Sequence, residues 1–212
     1  MIAIIDYDAG NLKSVQKALA SLGEESQATR DAGEILAADK IILPGVGAFG
    51  EAMGQLKKYG LDKVIHEAVA EGIPFLGICL GLQLLFEGSE ENHGVEGLHI
   101  LEGGIRRIPD APGLKIPHIG WNSLHLMNQG RLFEGIGEGA FVYFVHSYYL
   151  KAADASIVKA STEYGVPIHA SVEQGNVFAC QFHPEKSSGV GLRILGNFAS
   201  LPAPGQEGFG ST

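Results

Sequence analysis

An α/β fold built on a doubly wound, mostly parallel sheet is what this sequence predicts, and three observations predict it. Short apolar runs alternate with amphipathic stretches over roughly the first 90 residues, the order of a βαβ chain. One run, 74–78, is apolar throughout, as a strand covered on both faces has to be. Gly77-Ile78-Cys79-Leu80-Gly81 then joins that run directly to a helical pattern, so strand turns into helix without a loop. Beyond residue 96 the texture changes to strand-like segments separated by turns, which predicts antiparallel strands added to the parallel sheet.

Taken in order, residues 2–7 are an apolar first strand. Asn11 caps a helix with Leu12, Val15, Leu19 and Leu22 along one face, ended by Gly23. A weak strand (26–29), a short helix (34–38) and a third strand (40–43) follow. Residues 49–71 read as helical with a break near Gly60, and 80–86 as the helix after the apolar strand. Strands are expected at 97–108, 116–127, 140–151, 157–162, 168–173 and 177–182, with a closing helix at 189–201. No repeat or linker divides the chain, so residues 1–201 form one expected domain. Residues 202–212, rich in Gly and Pro, are an expected flexible tail.

Composition narrows the function classes. At 212 residues, 45% hydrophobic and 18% charged, the chain can bury a sizeable core. A net charge of −9 argues against nucleic acid as a partner, and no apolar run is long enough to span a membrane. The opening residues lack the basic region of a signal peptide, so a cytoplasmic location is expected, with Cys79 and Cys180 kept as thiols. The eight histidines show no metal-ligand spacing, so neither metal nor cofactor is expected.

Three stretches carry chemistry. Cys79, between Gly77 and Gly81, sits where hydrolases place the serine of a nucleophile elbow. A helix start there favours a thiolate, while a lone cysteine also packs well as a small apolar residue. The flanking glycines tilt the balance toward a nucleophile. His183 and Glu185 lie two apart, and Pro184 biases His183 toward an extended backbone, so both side chains are expected to project the same way. Alone they read as a strand-end histidine beside a solvated Glu-Lys pair. With an elbow cysteine they suit a base and its orienting carboxylate. The third stretch, Gly45-Val46-Gly47-Ala48-Phe49-Gly50, matches the dinucleotide fingerprint but follows the third strand, and Pro44 interrupts the turn. The same backbone N–H groups suit an oxyanion hole, with Leu80 N–H as first donor and Val46 or Gly47 as second.

Gly-Ile-Cys-Leu-Gly-Leu-Gln at 77–83 together with Phe-His-Pro-Glu-Lys-Ser at 182–187 resembles the class I (triad) glutamine amidotransferases, whose fold is flavodoxin-like. The stretches 6–12, 43–49, 117–122 and 143–149 narrow the resemblance to the glutaminase subunits of imidazole glycerol phosphate synthases. Asp8 stands where that family usually has Gly, and Leu80 where Met is common.

The resemblance implies that Cys79 attacks the glutamine side-chain amide, with His183 as base and Glu185 as its orienter. A glutamyl thioester and ammonia form, and water then releases glutamate. It further implies that Gln83, Gly45 and the backbone of His146, Ser147 and Tyr148 hold glutamine. Ammonia then passes to a cyclase subunit with a (β/α)₈ barrel in a heterodimer, for histidine biosynthesis. Asn11, Trp121, Tyr143 and Lys186 are the interface candidates, with core packing as the alternative for the two aromatics. Competing functions are an amidotransferase subunit for another acceptor (anthranilate or pyridoxal phosphate synthesis), a non-catalytic binding protein on the same scaffold, and a dinucleotide-binding oxidoreductase.

Overall fold

Residues 1–205 are described by the structure, a computed structural model of the chain. Strands β1 (Ile2–Ile5), β3 (Lys40–Gly45) and β4 (Phe75–Cys79) run parallel and are buried along their whole length. β2 (Ser26–Thr29) adds to the outer side of β1, and β12 (Val177–Cys180) pairs in parallel with β4. β11 (Pro167–Gln174), β10 (Val158–Glu163) and the two-residue β7 (His125–Leu126) continue the sheet antiparallel. The order across the sheet is β2-β1-β3-β4-β12-β11-β10-β7.

Strand periodicity divides the core into two layers. Ile2 and Ile4, Ile42, Leu76 and Phe178 point to one face, where Val15 and Leu19 of α1 (Leu12–Ser21) and Ile194, Leu195 and Phe198 of α6 (Ser188–Ala199) cover them. Ala3, Ile5, Ile41, Leu43 and Phe75 point to the other face. There they meet α2 (Ala32–Leu36), α3 (Phe49–Lys58), α4 (Leu61–Ala70) and α5 (Leu80–Leu84). Burial of each such aliphatic side chain contributes about 1.5–3 kcal/mol, so the alternation itself holds helices on both sides.

Local signals act where the sequence puts them. The Asn11 side chain accepts from Ser14 N–H at 3.3 Å to start α1, and Asp31 accepts from Glu34 N–H at 3.0 Å to start α2 two residues before the expected 34. Gly60, at φ +69°, makes the expected break between α3 and α4. Asp8 also takes a left-handed backbone, φ +64°, which Asp tolerates better than most side chains. Its carboxylate is held there by Arg30 at 2.7 Å and by the Tyr59 hydroxyl.

Several expected strands are corrected. Only Gly103–Arg107 (β5) of 97–108 is a strand, because 97–101 instead folds back onto the end of α5 through bonds such as Leu98 N–H to Leu84 O. The 116–127 stretch divides into β6 (His118–Ser123) and β7. The 140–151 stretch breaks at Ser147 into β8 (Phe141–His146) and β9 (Tyr148–Ala152). β5 pairs with β9 and β6 with β8 as two separate antiparallel ribbons, rather than extending the main sheet. Of the expected tail, residues 206–212 lie outside the described residues.

Candidate active site

Parallel pairing brings the carboxyl ends of β3, β4 and β12 to one edge, with Gly45 opposite Cys79 and Cys180 opposite Ile78. Ligand sites in such sheets form at that edge. Cys79 ends β4 and starts α5 at φ +56°, ψ −108°, a region rare for a residue with a Cβ. The bend is possible because helix and strands touch through bare backbone. A Cβ on Gly81 would lie 1.9 Å from the Leu43 carbonyl oxygen, and one on Gly77 would lie 2.7 Å from the Gly81 carbonyl oxygen. The strained turn lifts the Cys79 side chain out of the sheet layer; its sulfur lies 3.9 Å from the Val145 carbonyl oxygen and 3.7 Å from Gln181 Nε2. Such strain at a cysteine facing a cleft suits a nucleophile better than a packing residue.

His183 follows β12, and its Nδ1 lies 2.8 Å from Glu185 Oε1 with both side chains almost fully buried. The contact is made differently from expectation. His183 is extended, but Pro184–Lys186 is a 3₁₀ turn that curls Glu185 back under the ring. Neighbours hold this segment in place: His183 N–H donates to Tyr143 O at 2.9 Å, and the Ser187 hydroxyl donates to His183 O at 2.6 Å. Among the described residues the buried imidazole Nε2 has no hydrogen-bond partner, and the sulfur of Cys79 is its electrostatic neighbour. Burial alone would lower the His183 pKa. The Cys79 sulfur and the Glu185 carboxylate outweigh it and raise the value to about 9, which favours the protonated ring at neutral pH.

The cleft above Cys79 has a volume of about 250 Å³. Val46, Gly47, Leu80, His146, Ser147, Tyr148 and His183 line it together with Cys79. Leu80 N–H, first in α5, is one of the donors a helix start leaves free. Val46 is 44% exposed and Gly47 sits at φ +100°, a backbone that glycine adopts readily. Gly45, expected to hold substrate, lies beneath the cleft, where a Cβ would meet the Tyr7 hydroxyl at 2.6 Å and Leu80 Cβ at 2.8 Å. Gln83, one helical turn after Cys79, lines the cleft and donates from Nε2 to Tyr148 O at 3.1 Å.

The fingerprint glycines do not serve a dinucleotide. The α3 N-terminus, where a pyrophosphate would bind, is already taken: Phe49 N–H donates to Glu91 Oε2 and Gly50 N–H to Asn92 Oδ1, each at 2.8 Å. Among the described residues, no group of three or more His, Cys, Asp or Glu could hold a metal ion, and no helix is long and apolar enough to cross a membrane. Cys79 and Cys180 are both free thiols.

Reading by motif missed three residues. Glu91 lines the cleft from a loop without sequence signature. Gln181, adjacent to the His183 motif, carries no signature of its own, and its Nε2 lies 3.7 Å from the sulfur. His118 donates or accepts at His146 Nε2 over 3.1 Å and stacks between Phe144 and Tyr164. Burial lowers the pKa of His118 to about 4 and that of His146 to about 3, so both rings are neutral near pH 7. Of the expected interface residues, Lys186 lies in the 184–186 turn, and Tyr143 N–H donates to the Ser187 hydroxyl that follows it at 2.9 Å. Trp121, 50% exposed, stands edge-on to Tyr143 with ring centroids 6.1 Å apart, which removes core packing as its role. Asn11 and Lys186 are exposed, and α1 packs beside that turn.

A strained cysteine at the start of a helix, facing a buried His–Glu pair across a small cleft, is the constellation of an amide-cleaving thiol enzyme. The family model for glutamine amidotransferase class-I matches residues 3–200, and the chain belongs to that family. It is 52% identical over 200 residues to imidazole glycerol phosphate synthase subunit HisH of Moorella thermoacetica, covering 94% of each chain. Identity to the subunit of the same name from Methanocaldococcus jannaschii is 49% over 201 residues, covering 95% of this chain and 100% of that one. Among solved structures, one described as PurLQS from Thermotoga maritima has a TM-score of 0.72 at 21% identity, covering 93% of this chain and 96% of the other. At that identity the likeness concerns the fold, and it agrees with the α/β architecture expected from the sequence.

Proposed function

We propose that this chain is the glutaminase subunit of an imidazole glycerol phosphate synthase. It hydrolyses glutamine to glutamate and ammonia and hands the ammonia to a cyclase subunit for histidine biosynthesis. The observation that carries the reading is the meeting of Cys79 with the His183–Glu185 pair in one cleft, in a chain about half identical to HisH subunits along nearly its whole length. The reading places the work in a reducing, cytoplasmic compartment, which suits two free thiols.

Each step has a group to perform it. The Cys79 sulfur attacks the side-chain amide carbon, and the oxygen gathers negative charge between Leu80 N–H and an N–H of the Val46-Gly47 segment. Protonated His183 gives its proton to the departing nitrogen, so ammonia leaves and a thioester remains. Water then attacks the thioester while His183 takes a proton from it; the C–S bond breaks, glutamate is released, and the free sulfur beside a protonated His183 is restored. Glu185 keeps the ring oriented and balances its charge. Glu91 brings the negative charge an α-ammonium group needs, and Gln83 with the 146–148 backbone encloses the rest of the amino acid.

Ammonia in water near neutral pH is mostly protonated and lost, so the cleft is expected to close against the cyclase, a (β/α)₈ barrel, around Trp121, Tyr143, Asn11 and Lys186. The assembled heterodimer then acts as a lyase. Replacement Cys79→Ala tests the assignment in the complex. Synthesis driven by glutamine is expected to vanish, while synthesis driven by added ammonium salt persists. Loss of both would make Cys79 a structural residue.

A further inference from the structure

We infer that Gln181 is a positioning residue for the nucleophile: its side-chain amide, locked by Gln83, donates an N–H to the Cys79 sulfur. This deepens the proposed glutaminase reading and rests on Cys79 being its nucleophile. Gln181 has no exposed surface and follows β12 directly, two residues before His183. Its backbone N–H donates to Ala170 O at 2.8 Å, so the side chain is launched from a fixed point in the sheet.

The direction of the amide follows from its neighbours. The Tyr148 carbonyl oxygen can only accept, so the Gln83 atom 3.1 Å from it is the NH₂ group. That same nitrogen lies 3.1 Å from Gln181, and two NH₂ groups cannot face each other there, so Gln181 turns its oxygen to Gln83. The NH₂ end of Gln181 is left facing sulfur at 3.7 Å. His146 Nδ1 at 2.9 Å is a second neighbour of the Tyr148 oxygen, which anchors the array. A carbonyl bonded on two sides thus dictates, through two amides, that a donor points at the thiol sulfur. The Val145 carbonyl, 3.9 Å from the same sulfur, is an acceptor for the neutral S–H. A donor at Gln181 favours the sulfur in its anionic form and fixes its direction in the cleft.

The test replaces Gln181 by Met, which keeps length and removes the donor, and by Glu, which keeps the acceptor and places a carboxylate near the sulfur. Alkylation of Cys79 by iodoacetamide is followed across pH in the full chain, with Cys180→Ala as background and circular dichroism confirming the fold. The half-maximal rate is expected to move up by about one pH unit in Gln181→Met, roughly tenfold slower alkylation at low pH, and further in Gln181→Glu. In the complex, kcat with glutamine falls about tenfold or more in both, with ammonium-driven synthesis retained. An alkylation profile unchanged in either folded variant overturns the inference, even if turnover drops. If one variant does not fold, the other decides. A Cys79→Ala complex that still uses glutamine would instead overturn the glutaminase reading, so the two failures are separate.

Discussion

Adding a single methyl group at Gly81 tests whether the strand-to-helix bend is what arms the site. The new Cβ would lie 1.9 Å from Leu43 O, and it has to withdraw to at least 3.0 Å, a shift of more than 1 Å. Neither side yields easily, because Leu43 belongs to central strand β3 and Gly81 to the first turn of α5. Overpacking of this kind costs about 1–3 kcal/mol, and backbone-to-backbone overlap puts Gly81→Ala at the upper end, about 3 kcal/mol. That is a large part of the roughly 5–15 kcal/mol that holds a typical domain together. The same shift carries Leu80 N–H away from the reacting oxygen, and a displacement of about 1 Å can cost on the order of 100-fold in rate. Gly54→Ala is the matched control. Gly54 is exposed in the middle of α3 with nothing within 4 Å of a Cβ, so alanine there is expected to stabilise by about 0.5–1 kcal/mol. Urea unfolding and glutamate release in the complex read both. A Gly81→Ala chain within about 1 kcal/mol of the parent in stability, with glutaminase turnover intact, would refute the account of the bend.

Other expectations follow from the same geometry. Val46→Pro removes a backbone N–H at a half-exposed position in the segment assigned to the oxyanion, so glutamate release in the complex should fall by about 10²–10³ with little loss of stability; unchanged release would exclude Val46 N–H as the second donor. Stability should fall on both sides of neutrality. His183, raised to about 9, contributes stability that is complete below about pH 6.5 and lost as pH rises through about 9. His146, lowered to about 3 by burial, stays neutral while the unfolded chain takes up a proton below about pH 6.5. Acid therefore destabilises by up to about 1.4 kcal/mol per pH unit from that residue, and His146→Asn should flatten the acid limb of a urea-midpoint series. Trp121→Ala should leave the melting temperature of the free chain nearly unchanged, since the ring is half exposed, yet weaken cyclase binding at least tenfold by calorimetry.

Recognition by sequence worked where a function needs residues close together in the chain. The elbow is such a case: Gly77, Cys79 and Gly81 act within five residues, and each glycine answers an overlap that any Cβ would cause. The alternation of Ile2, Ala3, Ile4 and Ile5 between two core layers is equally local, which is why the parallel half of the sheet could be anticipated nearly strand for strand. The second half was less legible because its strands are assigned by partners. Ser147 ends one ribbon and begins another, although nothing in Tyr143-Phe144-Val145-His146-Ser147-Tyr148-Tyr149 marks a break. The 3₁₀ turn at Pro184–Lys186 likewise follows from the Tyr143 and Ser187 bonds that hold His183, more than from Pro184.

By itself the sequence determined the strand-turn-helix with its cysteine, the His183–Glu185 pair, and the class of chemistry these residue types permit. Tertiary structure alone decided what lines the cleft around the sulfur. Glu91 arrives from the loop after α5, Tyr148 O from a ribbon, and Gln181 is oriented by a glutamine almost a hundred residues earlier in the chain. A hydrogen-bond direction depends on every acceptor within reach, and only folding brings those acceptors to one place.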